Sequence, residues 1–281
     1  MVAGIEAASR RTEVRQRARG LAGPLLRLTG VALGYETASG FHLAVADASF
    51  DVAAREKLVV IGPSGCGKST LLKAIAGFVV SVAGSIELEG RRSLRPGPDR
   101  AVVFQEFDQL FPWRTVLGNV AYPLRVNGYR RAEAAARARS FLELTHLGDA
   151  ADRYPHELSG GMKQRVAIAR ALALEPRVLL MDEPFGALDA ITRQRLQAEV
   201  NRIVAETGVT LVFVTHSIEE ALVLGDRVVV LGETPSRVIE VVDVRSLGGP
   251  ETPEYSAMRG RLRSLLAVDR EEVVADGGGL D

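Results

Sequence analysis

Short apolar and polar stretches rich in glycine and alanine alternate from Leu26 to Val52, which predicts antiparallel strands around a turn at 37–40. Leu58-Val59-Val60-Ile61 breaks that alternation with four apolar residues in succession, flanked by charge on one side and glycine on the other. A strand buried on both faces of a parallel sheet has this pattern. The period then changes: Leu71, Leu72, Ile75 and Ala76 recur at helical spacing, and Gly77 supplies a stop. Further apolar runs at 101–104, 178–181, 209–215 and 227–231 are separated by helical patterns, notably at 130–147, 160–174 and 190–206. Strands alternating with helices indicate an α/β sheet. The interval 109–158 has helical pattern and no β run, so it reads as a helical lobe inserted between two core strands. No period of 20–50 residues recurs, which excludes a solenoid.

Composition narrows the class. The 281 residues hold 47% hydrophobic and 25% charged residues, ordinary for a soluble globular chain and unlike a disordered or fibrous one. Thirty-five basic residues balance 35 acidic ones, which argues against a general nucleic-acid binder. No apolar run approaches the roughly 18 residues that span a bilayer. Cys66 is the single cysteine, so an internal disulfide is impossible and a reducing compartment is expected. The Arg-rich start lacks the apolar segment of a secretory signal. Charge collects at the ends, with a net of +3 over residues 1–24 and −4 over 268–281. Both stretches run into glycine-rich sequence and read as frayed tails, with a membrane-surface role for the arginines as the alternative.

The chemistry is concentrated in three runs. Gly62-Pro63-Ser64-Gly65-Cys66-Gly67-Lys68-Ser69, followed by Thr70, matches G-x-x-x-x-G-K-[ST] between a buried strand and a helix. Such glycines let backbone N–H groups close around phosphate oxygens, and the helix start favours an anion. Lys68 would neutralise the β- and γ-phosphates, and the Ser69 hydroxyl would ligate Mg²⁺. In the second run, the apolar residues of Val178-Leu179-Leu180-Met181 end in Asp182 and Glu183. Asp182 would orient Mg²⁺, which wants oxygen ligands, and Glu183 is placed to polarise an attacking water. Alone, Asp-Glu-Pro is ordinary turn material; the phosphate loop gives it meaning. The third run, Leu158-Ser159-Gly160-Gly161-Met162-Lys163-Gln164-Arg165, offers Ser159 as an N-cap and two glycines baring the N–H groups of a new helix. It is a second anion-binding helix start.

That third run matches L-S-G-G-x-x-Q-R, and on it the chain resembles the nucleotide-binding subunit of ATP-binding cassette (ABC) transporters over nearly all of residues 25–244. The resemblance implies a P-loop NTPase core with a mostly parallel sheet, an N-terminal antiparallel β subdomain and an inserted helical lobe at about 109–165. It leaves 1–24 as an Arg-rich tail and 245–281 as a C-terminal extension ending in the acidic, glycine-rich stretch. It also implies that Gln105 contacts Mg²⁺ or the water and senses the membrane partner. Asp189, within Ala187-Leu188-Asp189, would be the D-loop aspartate among the nucleotide-binding residues, His216 the switch histidine on the γ-phosphate, and Tyr35 the ring stacked on adenine. Ser159, Gly160 and Gly161 would cover the γ-phosphate of ATP held by another copy, giving a head-to-tail homodimer with two ATP molecules between.

By the same resemblance the partners are integral-membrane permease subunits and an extracytoplasmic solute-binding protein acting through them, at the cytoplasmic face of a bacterial membrane. The wording from Val103-Phe104-Gln105-Glu106 to Phe111-Pro112-Trp113-Arg114-Thr115-Val116 and Asn119-Val120 is similar to the nitrate/sulfonate/taurine importers. The apolar stretch 107–113 reads equally as a partner contact or as packing of the lobe. No Asn-Lys-x-Asp run is present, which disfavours a GTPase. Lys68 and Asp182 lie 114 residues apart without sustained heptads, which disfavours repair ATPases with inserted coiled coils. A soluble ABC ATPase with an assembly role remains the alternative.

Overall fold

The computed structural model describes residues 23–38, 40–92, 95–105 and 109–276, with side chains as far as 267. In chain order the strands are β1 (Leu26–Thr37), β2 (Gly40–Val52), β3 (Lys57–Ile61), β4 (Ala83–Leu88), β5 (Arg91–Arg92), β6 (Arg100–Val103), β7 (Val178–Asp182), β8 (Thr210–Thr215), β9 (Arg227–Leu231) and β10 (Ser236–Asp243). The helices are α1 (Lys68–Ala76), α2 (Val116–Val126), α3 (Arg131–Leu144), α4 (Gly160–Leu172), α5 (Ala190–Thr207), α6 (Ile218–Leu224) and α7 (Pro253–Asp276). Among the described residues they build one ten-stranded sheet in the order β5-β4-β1-β2-β10-β9-β3-β8-β7-β6. The half from β9 to β6 is parallel, and β1, β2, β4 and β5 form an antiparallel wing.

The uninterrupted apolar runs are explained by alternation across the parallel half. Val59 and Ile61 of β3, Leu179 and Met181 of β7, and Leu211 and Phe213 of β8 enter one core. Leu58 and Val60, Val178 and Leu180, and Val212 and Val214 enter the other. Each strand therefore needs apolar residues at every position, where an edge strand needs them only at alternate ones. The first core continues into the helical lobe through Val116, Val120 and Leu124 of α2 and Ala134, Ala138 and Leu142 of α3. The lobe is thus packed on the sheet without a separate centre.

One expectation is corrected, and two strands were not foreseen. The acidic stretch from 268 was expected to be a frayed tail, yet the backbone stays helical to Asp276 as the end of α7. That helix is seated by Tyr255 and Leu262, which are buried in the first core. Residues 277–281, like the Arg-rich reading of 1–22, lie outside the described residues. The pattern also gave no sign of β4 or β10, where apolar residues are interleaved with charged ones.

Parallel register decides what the sheet presents at its edge. Ile61 pairs with Thr215, Asp182 with Val214, and Val103 with Met181. The residues that follow these strand ends are Gly62, His216, Glu183 and, one further on from β6, Gln105. Four segments expected to carry chemistry therefore leave the sheet side by side at the carboxyl ends of its strands, where open α/β sheets form ligand crevices.

Candidate active site

The loop from Gly62 to Gly67 turns sharply between β3 and α1. Gly65 and Gly67 adopt φ of 82° and 92°, a left-handed conformation that costs glycine little. At Gly67 space is also short, since an added Cβ would lie 2.8 Å from Val45 Cγ2 and 3.2 Å from the Ala44 carbonyl. The loop is held from outside as well: the Thr234 hydroxyl, at the β9–β10 turn, donates to the Gly65 carbonyl at 2.9 Å. Nothing in the local sequence marked Thr234, because its partner is 169 residues away.

Lys68 is buried beneath the loop. Its Nζ donates to the Gly62 carbonyl at 2.9 Å and the Pro63 carbonyl at 2.7 Å. Cys66 Sγ lies 3.9 Å from the same ammonium, and burial pushes its thiol up from the usual value. Phosphate oxygens would compete for Lys68 with neutral carbonyls, and charge-assisted bonds are roughly twice as strong as neutral ones. The ammonium is thus stored in the loop and free to exchange.

The second motif meets the first directly. Ser69 Oγ donates to Asp182 Oδ1 at 2.8 Å, across 113 residues of sequence. Burial raises the Asp182 carboxyl, partly offset by the Ser69 bond and by Lys73 and Lys68. A hydroxyl and a carboxylate converging in a half-dry crevice are a donor set of hard oxygens, which fits Mg²⁺. Among the described residues no group of three or more His, Cys, Asp or Glu side chains is assembled, so further ligands would have to come from phosphate and water.

Glu183 leaves β7 at φ 42°, unusual for a non-glycine residue, with its N–H donated to the Val214 carbonyl at 2.9 Å. Its Oε2 lies 2.9 Å from Nδ1 of His216, which is mostly exposed. Gln105 is exposed and lies over Gly186, where an added Cβ would meet its Nε2 at 3.1 Å. Lys68, Ser69, Asp182, Glu183, His216 and Gln105 are therefore gathered at one edge.

The third motif is built apart from them. Ser159 caps α4, accepting from the Met162 N–H at 3.3 Å. Asp189 caps α5, accepting from Thr192 N–H at 3.0 Å, and this bond holds its exposed carboxyl below the usual range. The two helix starts abut: an added Cβ on Gly161 would lie 2.9 Å from Thr192 Cγ2. Neither cap shares a hydrogen bond with the phosphate loop. Tyr35 also stands aside on β1, 51% exposed, its ring centroid 5.2 Å from His42.

The stretch 107–113 divides. Glu106 and Phe107 lie outside the described residues. Leu110 is buried in the first core, and Phe111 packs edge-on against Tyr122 at 4.8 Å. Trp113 is 71% exposed. The turn is pinned by Asn119, fully buried, whose side chain accepts from the Phe111 N–H and donates to the carbonyls of Phe111, Arg114 and Thr115. Beside it is a cleft of about 600 Å³ lined by Gln109, Phe111, Tyr122, Pro123 and Arg170, with Arg100 at its sheet wall.

Known proteins resemble this chain in family and in fold. The family model described as "ABC transporter" matches residues 45–186. The nitrate import ATP-binding protein NrtC of Synechococcus elongatus is 48% identical over 82% of this chain, which spans only 36% of that protein. The taurine import ATP-binding protein TauB of Rhizobium johnstonii is 47% identical, covering 78% of this chain and 87% of that one. A solved dimeric structure of the ATP-binding cassette MJ0796 in a post-hydrolysis state, bound to ADP and Pi, is similar at a TM-score of 0.69 and 31% identity, covering 79% of this chain and all of the other.

Proposed function

The chain belongs to the ABC transporter family, and on that premise we propose that it is the ATP-hydrolysing subunit of an importer for nitrate, a sulfonate, taurine or a similar small solute. The observation that carries the site assignment is the pair of short links at the sheet edge, Ser69 to Asp182 at 2.8 Å and Glu183 to His216 at 2.9 Å. They join the phosphate loop, the acidic strand end and the switch turn into one reaction volume.

In this reading the N–H groups of 62–70 and the Lys68 ammonium bind the phosphates of ATP. Ser69 and Asp182, with Gln105, would hold Mg²⁺, which when bound would supply positive charge to offset the charge developing on the transferred phosphoryl group. Glu183 accepts the proton of the attacking water, and His216 orients Glu183 and donates toward the γ-phosphate. Tyr35 lies at the adenine end. The capped glycines at Ser159, Gly160 and Gly161, with Asp189 beside them, close on the γ-phosphate of ATP held by a second copy. A γ-phosphate shared by two copies gives the closed dimer a differential affinity for ATP over ADP, which is what allows a ligand to drive closure and reopening.

No helix among the described residues is long and apolar enough to cross a membrane, so passage of solute is assigned to separate permease subunits. An extracytoplasmic binding protein would deliver solute to them, with this chain docked at the cytoplasmic face. For the domain plan we propose 25–244 as the ATPase, 109–165 as its helical lobe, and 245–281 as an extension of which α7 is the packed part. Trp113, exposed beside the cleft, is assigned to the permease contact, while Leu110 and Phe111 serve the packing. An aromatic anchor at an interface is worth about 2 kcal/mol or more. Trp113→Ala should therefore leave ATPase of the isolated chain unchanged and weaken permease association roughly 30-fold. Titrating permease in detergent or nanodiscs while following ATPase stimulation checks this, and an unchanged half-saturation point counts against the contact. The import function itself is tested by whether permease and a solute-loaded binding protein together raise the ATPase rate. A rate indifferent to both would favour an assembly ATPase, which the relatives do not favour.

A further inference from the structure

Glu220 is a buried carboxylate that the hydrolytic scheme above leaves without a role. It lies in α6, four residues beyond His216, and is 6% exposed. Its Oε2 accepts from the Thr215 hydroxyl at 2.6 Å, and the same hydroxyl accepts the Ser217 N–H at 3.0 Å. The Glu220 N–H donates to Ser217 Oγ at 3.2 Å. Thr215 is thereby tied to the Glu220 side chain, and Ser217 is tied to Thr215 and to the Glu220 backbone N–H, while the imidazole is left to meet Glu183.

The other carboxylate oxygen faces α5. Gln197 Nε2 stands 3.5 Å from Glu220 Oε1, and Arg193 Nε stands 4.0 Å from it. Arg193 is itself anchored at the start of α5, its Nη2 donating to the Leu188 carbonyl at 3.1 Å, one residue before Asp189. Its Nε is buried and makes no hydrogen bond, so Glu220 is the acceptor within reach of it. A carboxylate held out of water needs such a cation, and a buried guanidinium N–H needs such an acceptor.

We propose that Arg193 and Glu220 form a positioning couple that links the Asp189 turn to the His216 turn, so that seating of the first sets the second for hydrolysis. The inference rests on the reading of His216 and Asp189 as members of the hydrolytic site. Neither Arg193 nor Glu220 touches the reacting atoms; they act through the turns that they fix. Burial and, to a smaller extent, the Glu183 charge raise the Glu220 carboxyl, while the Thr215 hydroxyl and the charges of Arg193 and His216 work the other way. Two of those groups are in place by geometry, the Thr215 hydroxyl on one carboxylate oxygen and Arg193 facing the other.

The test is a double-mutant cycle on the full chain, with ATP hydrolysis read as kcat and KM. Glu220→Gln keeps the shape and an acceptor for Thr215 but removes the charge. Arg193→Gln removes the cation from a half-exposed position on the surface of α5, and so reads the same link should Glu220→Gln fold poorly. Each should lower kcat roughly tenfold, within the range by which members of one polar network couple, and leave the KM for ATP within about twofold. The double variant should be no slower than the slower single one, and Arg193→Lys, which keeps the charge, should recover most of the rate. A general loss of folding would lower kcat additively and without rescue by lysine, so that outcome, or parent-like kcat in both single variants, overturns the couple. His216→Ala is measured alongside. If it stays inactive while Arg193→Gln and Glu220→Gln turn over normally, only the couple falls. If His216→Ala itself turns over at the parent rate, the switch reading falls and takes the couple with it.

Discussion

Glu183→Gln should slow ATP hydrolysis by roughly 10²–10⁴-fold, the usual contribution of a positioned general base, with ATP affinity within about twofold of the parent. The amide has nearly the same volume, and the strained backbone at φ 42° is anchored by the N–H bond to Val214, which the substitution does not touch. The substitution removes the proton acceptor and the negative charge that faces His216. If hydrolysis is what reopens the dimer, the ATP-bound pair must then accumulate. Single-turnover hydrolysis followed by radiolabelled phosphate release, together with size-exclusion chromatography in Mg-ATP, checks both halves. Turnover near the parent rate would remove Glu183 from the proposed role. A slow variant that stays monomeric in ATP would separate hydrolysis from closure.

Lys68→Ala acts at the earlier step. A hydrogen bond to a charged group contributes about 1.5–3 kcal/mol, so ATP affinity should fall by roughly 10- to 150-fold. The fall should be smaller for ADP, because part of the ammonium's charge is directed to the γ-phosphate. In the folded chain the ammonium bonds two neutral carbonyls of its own loop, Gly62 and Pro63, and among the described residues makes no ion pair that its removal would break. Thermal stability without nucleotide should therefore change little, while the stabilisation that added ATP confers should nearly vanish. Calorimetric titration with ATP and ADP, beside melting curves with and without nucleotide, distinguishes loss of binding from loss of fold. Unchanged ATP affinity would contradict the phosphate-loop assignment.

The parallel half of the sheet was legible because it is buried on both faces: a strand such as Leu58-Val59-Val60-Ile61 has no polar position, and its pattern is unmistakable. The phosphate loop was legible for a different reason, since backbone chemistry confines its glycines to a fixed spacing beside Lys68. β10 was not legible. It pairs with β9 and with β2 some 190 residues away, and its half-exposed face mixes Arg237 and Glu240 with valines and isoleucine. α7 was obscured by its acidic end, and only packing of Tyr255 and Leu262 reveals that it is docked.

The site divides in the same way. Lys68, Asp182 and Glu183 follow from local pattern, whereas Thr234 and Glu220 do not. Glu219 and Glu220 are adjacent and chemically alike, yet one is exposed and the other buried. Which of two neighbouring glutamates faces inward depends on the angle at which α6 leaves β8. That angle is set by tertiary contacts, including α7, whose Arg263 reaches the outward Glu219 at 3.3 Å. A single sequence contains no local signal for it.

The most direct test of the central claim is a crystal structure of the Glu183→Gln chain grown with Mg-ATP. The γ-phosphate should lie between Lys68 of one copy and the Ser159–Gly161 helix start of a second, with two ATP molecules in a head-to-tail pair. A γ-phosphate bound by Lys68 but open to solvent, or met by any other surface of the second copy, would contradict the shared site on which hydrolysis and transport are here made to depend.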